Sequence, residues 1–197
     1  MVEHRFVTPV KPGDVSKLKI GDIVYLSGKI FTARDFAHMK IIENGPIKGF
    51  DTKGLALYHC GPVVKKLGKK WNILSAGPTT SARMDALEPK VLETLGVKLI
   101  IGKGGMGHDT LKALKKNNAA YLTMTGGIGA LATKMLGKVK DVYYLDELGP
   151  VEAIWVFEAN SLGPLFVTMD SHGNSFYDFV ESETKKNLDR ILSVKFG

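Results

Sequence analysis

Apolar residues in this chain come in short bursts separated by glycine, and their period shifts along the sequence. Ile23-Val24-Tyr25-Leu26-Ser27-Gly28 predicts a strand over residues 22–30. Before it, residues 1–21 are broken by Pro9, Pro12 and Gly13, with room for one edge strand. Helical spacing over residues 35–41 ends at Asn44-Gly45-Pro46. Strands are predicted at 55–60, closing at Gly61-Pro62, and at 73–76, a buried strand closing at Gly77-Pro78. A helix after Met84, running to Leu95, follows, with Pro89 in its first turn and Gly96 as its stop. The nearly continuous apolar run at 97–101 predicts a strand covered on both faces.

After the tight loop 102–107, Asp109 is placed to cap a helix over 110–116. A strand at 120–124 then runs through Thr125-Gly126-Gly127-Ile128-Gly129 into a short helix at 130–135. Strand, glycine turn and helix alternating in this way are a βαβ signature. The last third reads differently, with strands at 139–145, 153–159 and 165–169 and no long helix between them. A final helix over 177–192 offers Phe179, Leu188, Ile191 and Leu192 as core contacts. No Pro/Gly/Ser linker or internal repeat divides the chain, so the expectation is one α/β domain with mixed sheets over residues 1–197.

Composition narrows the function classes. The chain is 44% hydrophobic, which argues against disorder, and holds no apolar run of the ~18 residues that a membrane span requires. Met1-Val2-Glu3-His4-Arg5-Phe6 lacks an apolar signal core, so a cytoplasmic protein is expected. The lone cysteine, Cys60, excludes an intrachain disulfide, a multi-cysteine zinc site and an iron–sulfur cluster held by this chain alone. Lys and Arg total 27 against 20 Asp and Glu, a formal charge of +7. The lysines are scattered over helix-like stretches without an aromatic-interleaved stripe, which suits a solvated face or steering of acidic substrates better than nucleic-acid binding.

The chemistry concentrates where strands end. Gly77-Pro78-Thr79-Thr80-Ser81-Ala82-Arg83-Met84-Asp85 offers hydroxyls, free N–H groups and a guanidinium at the start of a helix, an anion-favouring setting. The bland alternative is a turn in which Thr80 or Ser81 caps the helix and Arg83 pairs with Asp85. Gly102-Lys103-Gly104-Gly105 puts a point charge directly after a buried strand but lacks phosphate-loop spacing; otherwise it is a turn with an exposed lysine. Gly126-Gly127-Ile128-Gly129 lacks the full dinucleotide fingerprint. Arg34, Asp35 and His38 share one helical face, either for a second carboxylate or as a structural pair beside a core-edge histidine. His59 and Cys60 have no third residue to orient them, so Cys60 is expected to be buried and inert. His4, His108 and His172 are dispersed, and no metal ligand is assigned. Together Arg34, Thr79, Thr80, Arg83 and Lys103 suit a small polycarboxylate, with no evident general base or metal: half of an active site.

These segments, with Leu145-Asp146-Glu147-Leu148-Gly149-Pro150-Val151-Glu152-Ala153, resemble the beta subunit of class I, iron–sulfur-dependent hydro-lyases, the fumarate hydratase and L-tartrate dehydratase family. The resemblance covers nearly the whole chain, and Gly-Pro-Thr-Thr-Ser-Ala-Arg-Met-Asp is its specific part. One departure is Ala82, where the family's common form has glycine. The resemblance implies a swivelling β/β/α fold and a site shared with an alpha subunit, in an alpha2beta2 assembly. It implies that the [4Fe–4S] cluster is bound by that alpha subunit and not by this chain. It further implies Thr79 as the hydroxyl base, Arg83 and Lys103 as catalytic grips on the substrate carboxylate, and Arg34 as holding the same end or stabilising the junction of the two chains; Thr80, beside Thr79, is counted with the substrate-binding residues. Reversible dehydration of (S)-malate to fumarate is the leading expectation, with L-tartrate as the close alternative. A non-catalytic anion- or nucleic-acid-binding protein and a purely structural subunit are the competing classes.

Overall fold

Leu99, Ile100 and Ile101 are all fully buried, yet Leu99 and Ile101 join one apolar core while Ile100 joins another. Successive strand residues point to opposite faces, so a run this apolar must be covered on both sides. The structure that does so is a computed structural model describing residues 1–68 and 70–194. Its elements are β1 (Glu3–Thr8), α1 (Pro12–Val15), β2 (Ile23–Thr32), α2 (Asp35–Asn44), β3 (Ala56–Tyr58), β4 (Val63–Leu67) and β5 (Lys70–Ser75). A 3-10 turn (Ser81–Met84) leads to α3 (Glu88–Leu95), β6 (Leu99–Gly102), α4 (His108–Asn117), β7 (Ala120–Thr123) and α5 (Gly129–Met135). The chain continues with β8 (Leu136–Tyr143), α6 (Leu145–Glu152), β9 (Ile154–Met169) and α7 (Phe176–Val194).

The fold is mixed α/β. β2, β3, β6 and β7 pair in parallel, β9 runs antiparallel to β7, and β9 also pairs antiparallel with β2, which closes the ring. β1 extends it beside β2 and β8 beside β9. Inside lie Val24, Leu26, Tyr58, Leu122, Trp155 and Phe157. Outside, Phe31, Leu57, Ile100 and Tyr121 pack with apolar residues of α2, α3 and α4. No helix is long and apolar enough to cross a membrane among the described residues.

Several expectations change. β4 and β5 form a separate antiparallel hairpin, so the strand before Gly77-Pro78 is not a buried one; its residues alternate between exposed and half-buried. Its covered face carries Trp71, whose ring meets Trp155 edge-on at 5.0 Å. The strands predicted at 153–159 and 165–169 are one element, β9, because it serves β2, β7 and β8 along different parts of its length. Asp109 makes no cap bond at α4; it pairs with Lys112 at 2.9 Å. The Gly107 N–H, at the cap position, goes instead to Asp85 Oδ1 at 2.7 Å. On α7 the supposed core residues are open to solvent: Phe179 is 56% exposed, Leu188 52%, Ile191 57% and Leu192 48%. That helix is anchored near its start, where Tyr177 bonds to Thr123 and Gly104.

Candidate functional site

Four parallel strands bring four loops to one edge of the ring. Arg34 and Asp35 follow β2, His59 and Cys60 follow β3, Lys103 follows β6, and residues 125–129 follow β7. Ligands of α/β folds gather outside the carboxyl ends of such strands. The segment after β5 docks onto this edge by its backbone. The Thr79 N–H donates to the His59 carbonyl at 2.7 Å, Thr80 bridges Lys103 in parallel, and the Ser81 N–H donates to the Lys103 carbonyl at 3.1 Å.

Five predicted site residues are therefore neighbours along one edge. Arg83 donates through Nε and Nη2 to the two Asp35 carboxylate oxygens at 3.2 and 2.9 Å, and through Nη2 to Thr79 Oγ1 at 3.1 Å. This is the paired geometry that a guanidinium offers a carboxylate. Arg83 thus pairs with Asp35 rather than Asp85. Asp85 is occupied with the Gly107 N–H and with the Thr110 hydroxyl at 2.7 Å. Burial pushes the Asp35 carboxyl upward, but the bond and charge from Arg83, with the charge of Arg34, carry its pKa below the ordinary value. Arg34 lies 3.6 Å from Asp35 and 3.3 Å from Glu152, packed over Gly61, where a Cβ would come within 2.6 Å of its Nη1. Lys103 stretches over Gly126, where a Cβ would come within 3.1 Å of its Cδ. The glycines of these turns thus make room for the cations.

Behind this surface lies a layer that the sequence did not reveal. Glu88 Oε2 accepts from His38 Nε2 at 3.1 Å and from His59 Nε2 at 2.9 Å, and all three side chains are fully buried. The other nitrogen of His38, Nδ1, donates to the Arg34 carbonyl at 2.8 Å. Both of its partners are acceptors, so His38 carries both protons. Burial opposes that charge, yet the Glu88 carboxylate outweighs it and the His38 pKa is raised. His59 Nδ1 instead meets the Ser81 hydroxyl at 2.9 Å, which can donate to it, and burial keeps His59 below its ordinary pKa. Burial would raise Glu88, but His59 and His38 hold it at about 2. Ser81 Oγ also accepts from the Tyr121 hydroxyl at 2.8 Å and the Lys103 N–H at 3.3 Å.

The expectation that cofactor binding lies wholly outside this chain, with no metal ligands on it, is corrected here. His38, His59 and Glu88 each offer a ligand atom, all within 4.8 Å of one another. In place of the Nε2 protons, two imidazoles with oriented Nδ1 atoms and one carboxylate form a donor set that could hold a divalent cation. Glu88 Oε1 is buried with no hydrogen-bond partner, which fits the same reading. The histidines are 21 residues apart in sequence, and only the fold joins them. A signal for Glu88 was present: it occupies the apolar stripe of α3 with Val91, Leu92 and Leu95. Cys60 is buried as expected, and burial pushes its thiol up to about 12.

Comparison with known proteins bears on this arrangement. The family model described as Fumarase C-terminus matches residues 5–180. A Methanocaldococcus jannaschii protein, provisionally named L(+)-tartrate dehydratase subunit beta, is 46% identical over 184 residues, covering 92% of this chain and 94% of the relative. The L(+)-tartrate dehydratase subunit beta of Escherichia coli K12 is 40% identical over 168 residues, covering 85% of this chain and 83% of the relative. A Geobacillus stearothermophilus protein, provisionally named fumarate hydratase class I, is 35% identical over 99% of this chain but only 38% of its own length. Matched across nearly all of its length, the chain belongs to the Fumarase C-terminus family, as a beta subunit of the fumarate and tartrate class of hydro-lyases.

Proposed function

We propose that this chain supplies the carboxylate-binding and proton-accepting half of an enzyme that dehydrates a 2-hydroxy dicarboxylate, with L(+)-tartrate as the substrate ahead of (S)-malate. The observation that carries the reading is the contact of Arg83 with both Thr79 Oγ1 and the Asp35 carboxylate. Tartrate takes precedence because the two relatives matched over most of both chains bear that name.

Dehydration removes a proton from the carbon beside one carboxylate and the hydroxyl from its neighbour, so water leaves and a double bond forms. Thr79 Oγ1 receives the proton. A free hydroxyl is a weak base, and the Arg83 N–H directed at its oxygen stabilises the negative charge that it must carry. Asp35 holds the guanidinium as a substrate carboxylate would. The Arg83–Asp35 pair is 46% and 32% exposed, and such pairs contribute only about 0–1 kcal/mol. A substrate carboxylate can therefore share or replace that bond at little cost. Arg34 and Glu152 are only 21% and 12% exposed, so Arg34 is the fixed cation and Arg83 the exchangeable one. Lys103, set beside Thr80, meets the charge that builds on the carboxylate next to the carbanion-like carbon.

A partner subunit of the alpha type completes the site by relaying the proton from Thr79 and drawing off the hydroxyl. The test is turnover of L-tartrate and (S)-malate by the chain assembled with its partner, as wild type and as Thr79→Ala. Tartrate turnover lost in the variant with assembly intact is the expected result. Turnover of neither substrate by the assembled wild type, or an unimpaired variant, refutes the reading.

A further inference from the structure

Glu88 is fully buried at the start of α3, on a stripe otherwise apolar. A buried carboxylate is poor evidence for stability, since apolar side chains of similar size often do as well or better. Its connections point to another use. One step from Glu88, His38 fixes the Arg34 carbonyl, the backbone corner from which Arg34 and Asp35 project. On the other side, His59 holds Ser81, two residues from both Thr79 and Arg83. Ser81 Oγ in turn accepts the Lys103 N–H and the Tyr121 hydroxyl. Three loops that lie far apart in sequence thus hang from one carboxylate through buried and partly buried bonds of 2.8–3.3 Å.

We propose that Glu88 is the positioning residue of the half-site: by hydrogen bonds through His38 and His59, it sets the backbones that carry Arg34, Thr79, Arg83 and Lys103, without touching substrate. The inference rests on the dehydratase reading for its kinetic consequence and on geometry alone for its structural one. Glu88 lies in the first turn of α3, where the partial positive charge of a helix start favours a carboxylate. Catalysis depends on such placement, and a displacement near 1 Å can cost about 100-fold in rate.

The test pairs Glu88→Gln with Ser81→Ala. The first change keeps the side-chain volume but removes the negative charge that both imidazole N–H groups face, and it puts an amide NH2 where Oε1 is buried without a partner. The second removes the Ser81 hydroxyl, and with it the bonds to His59, the Lys103 N–H and the Tyr121 hydroxyl, while leaving Glu88 and both histidines in place. In the assembled enzyme with L-tartrate, Glu88→Gln is expected to lower kcat about 100-fold, with KM changed less than about threefold. Ser81→Ala should lower kcat about tenfold as the weaker break of the same chain. Should Glu88→Gln not fold, Ser81→Ala carries the kinetic test alone. Nitrogen-proton spectra of the lone wild-type chain supply a readout independent of turnover: two slowly exchanging imidazole N–H signals from His38 and one from His59. An assembled wild type inactive on dicarboxylates would sink the dehydratase reading while leaving this spectrum as the test of the network. Wild-type kcat in both variants overturns the proposal. So does one equivalent of zinc or another divalent cation in the purified chain, because the hydrogen bonds would then be metal bonds.

Discussion

Gly102 is where the packing behind the site is least forgiving. A Cβ there would overlap Ser81 Oγ, lie 2.7 Å from the Tyr121 hydroxyl and 3.2 Å from His59 Nδ1. In Gly102→Ala the serine hydroxyl must leave, and it surrenders bonds to His59 at 2.9 Å, Tyr121 at 2.8 Å and the Lys103 N–H at 3.3 Å. Leaving buried groups unpaired costs about 1–3 kcal/mol, and forcing a methyl into a filled space costs about 1–3 kcal/mol more. The sum, about 2–6 kcal/mol, is a large share of the roughly 5–15 kcal/mol stability of a typical domain. Ser81→Ala alone should cost less, about 1–3 kcal/mol, since Tyr121 keeps the Gly104 carbonyl at 3.0 Å. The double variant counts the lost hydroxyl once and relieves its clash. The two changes should therefore be less costly together than their sum, by about 1–2 kcal/mol, a coupling typical of residues in contact. Urea unfolding of the lone chain at pH 7, run as a four-member cycle, measures this. Additivity within about 0.5 kcal/mol, or a Gly102→Ala chain as stable as wild type, would show that Ser81 Oγ does not sit against Gly102.

Four further outcomes are expected. Arg83→Lys removes the paired donor geometry and should cut kcat/KM for tartrate about 10- to 100-fold, equivalent to about 1.4–2.8 kcal/mol. Its unfolding free energy should move by less than about 1 kcal/mol, because the pair with Asp35 is exposed; unchanged kinetics would dismiss the assigned role. Asp22, pushed up by burial but brought below its ordinary pKa by the Val2 and Lys19 N–H groups and His4, stabilises the fold when ionised. That contribution is present above the unfolded carboxyl value of about 3.9 and lost as pH falls through the lowered folded value. Urea midpoints should therefore drop less between pH 6 and pH 3 for Asp22→Asn than for wild type, and equal drops would contradict this. The Cys60 thiol, buried with its pKa pushed up to about 12, should resist iodoacetamide at pH 8 for as long as the chain is folded and react readily in urea. Labelling at the same rate in both states would refute that. Finally, Leu188→Ser and Ile191→Ser on exposed positions of α7 should each shift stability of the lone chain by no more than about 0.5 kcal/mol. A loss above about 2 kcal/mol would mean that these side chains are packed after all.

What could be read from sequence followed local physics. The apolar run at 97–101 announced β6, the Pro89 and Gly96 signals bracketed α3, and Gly45 ended α2. The cations were legible for the same reason, each lying beyond a strand end: Arg34 after β2, Arg83 in the Gly77-Pro78 segment after β5, and Lys103 between glycines after β6. What escaped depends on partners remote in sequence. The hairpin of β4 and β5 carries lysines on an exposed ribbon, so its apolar signal is weak, and Val64, Trp71 and Ile73 mark the face that is covered. α7 shows the converse error: helical spacing of Phe179, Leu188, Ile191 and Leu192 reveals a helix with an apolar face, but not whether anything in this chain covers it. His38, His59, Ser81, Glu88 and Tyr121 make the same point at the site. Each has an ordinary local explanation as a turn, core or cap residue. Their joint meaning exists only because parallel β2, β3 and β6 bring three strand ends together in front of the first turn of α3. Electrostatics then selects one arrangement of protons among the five. Glu88 is held ionised, His38 is shifted toward its charged form by that carboxylate, and His59 is shifted by burial toward its neutral form and takes its second bond from Ser81. A carboxylate there is therefore best understood through the two backbones it holds in place, and not through its contribution to the core.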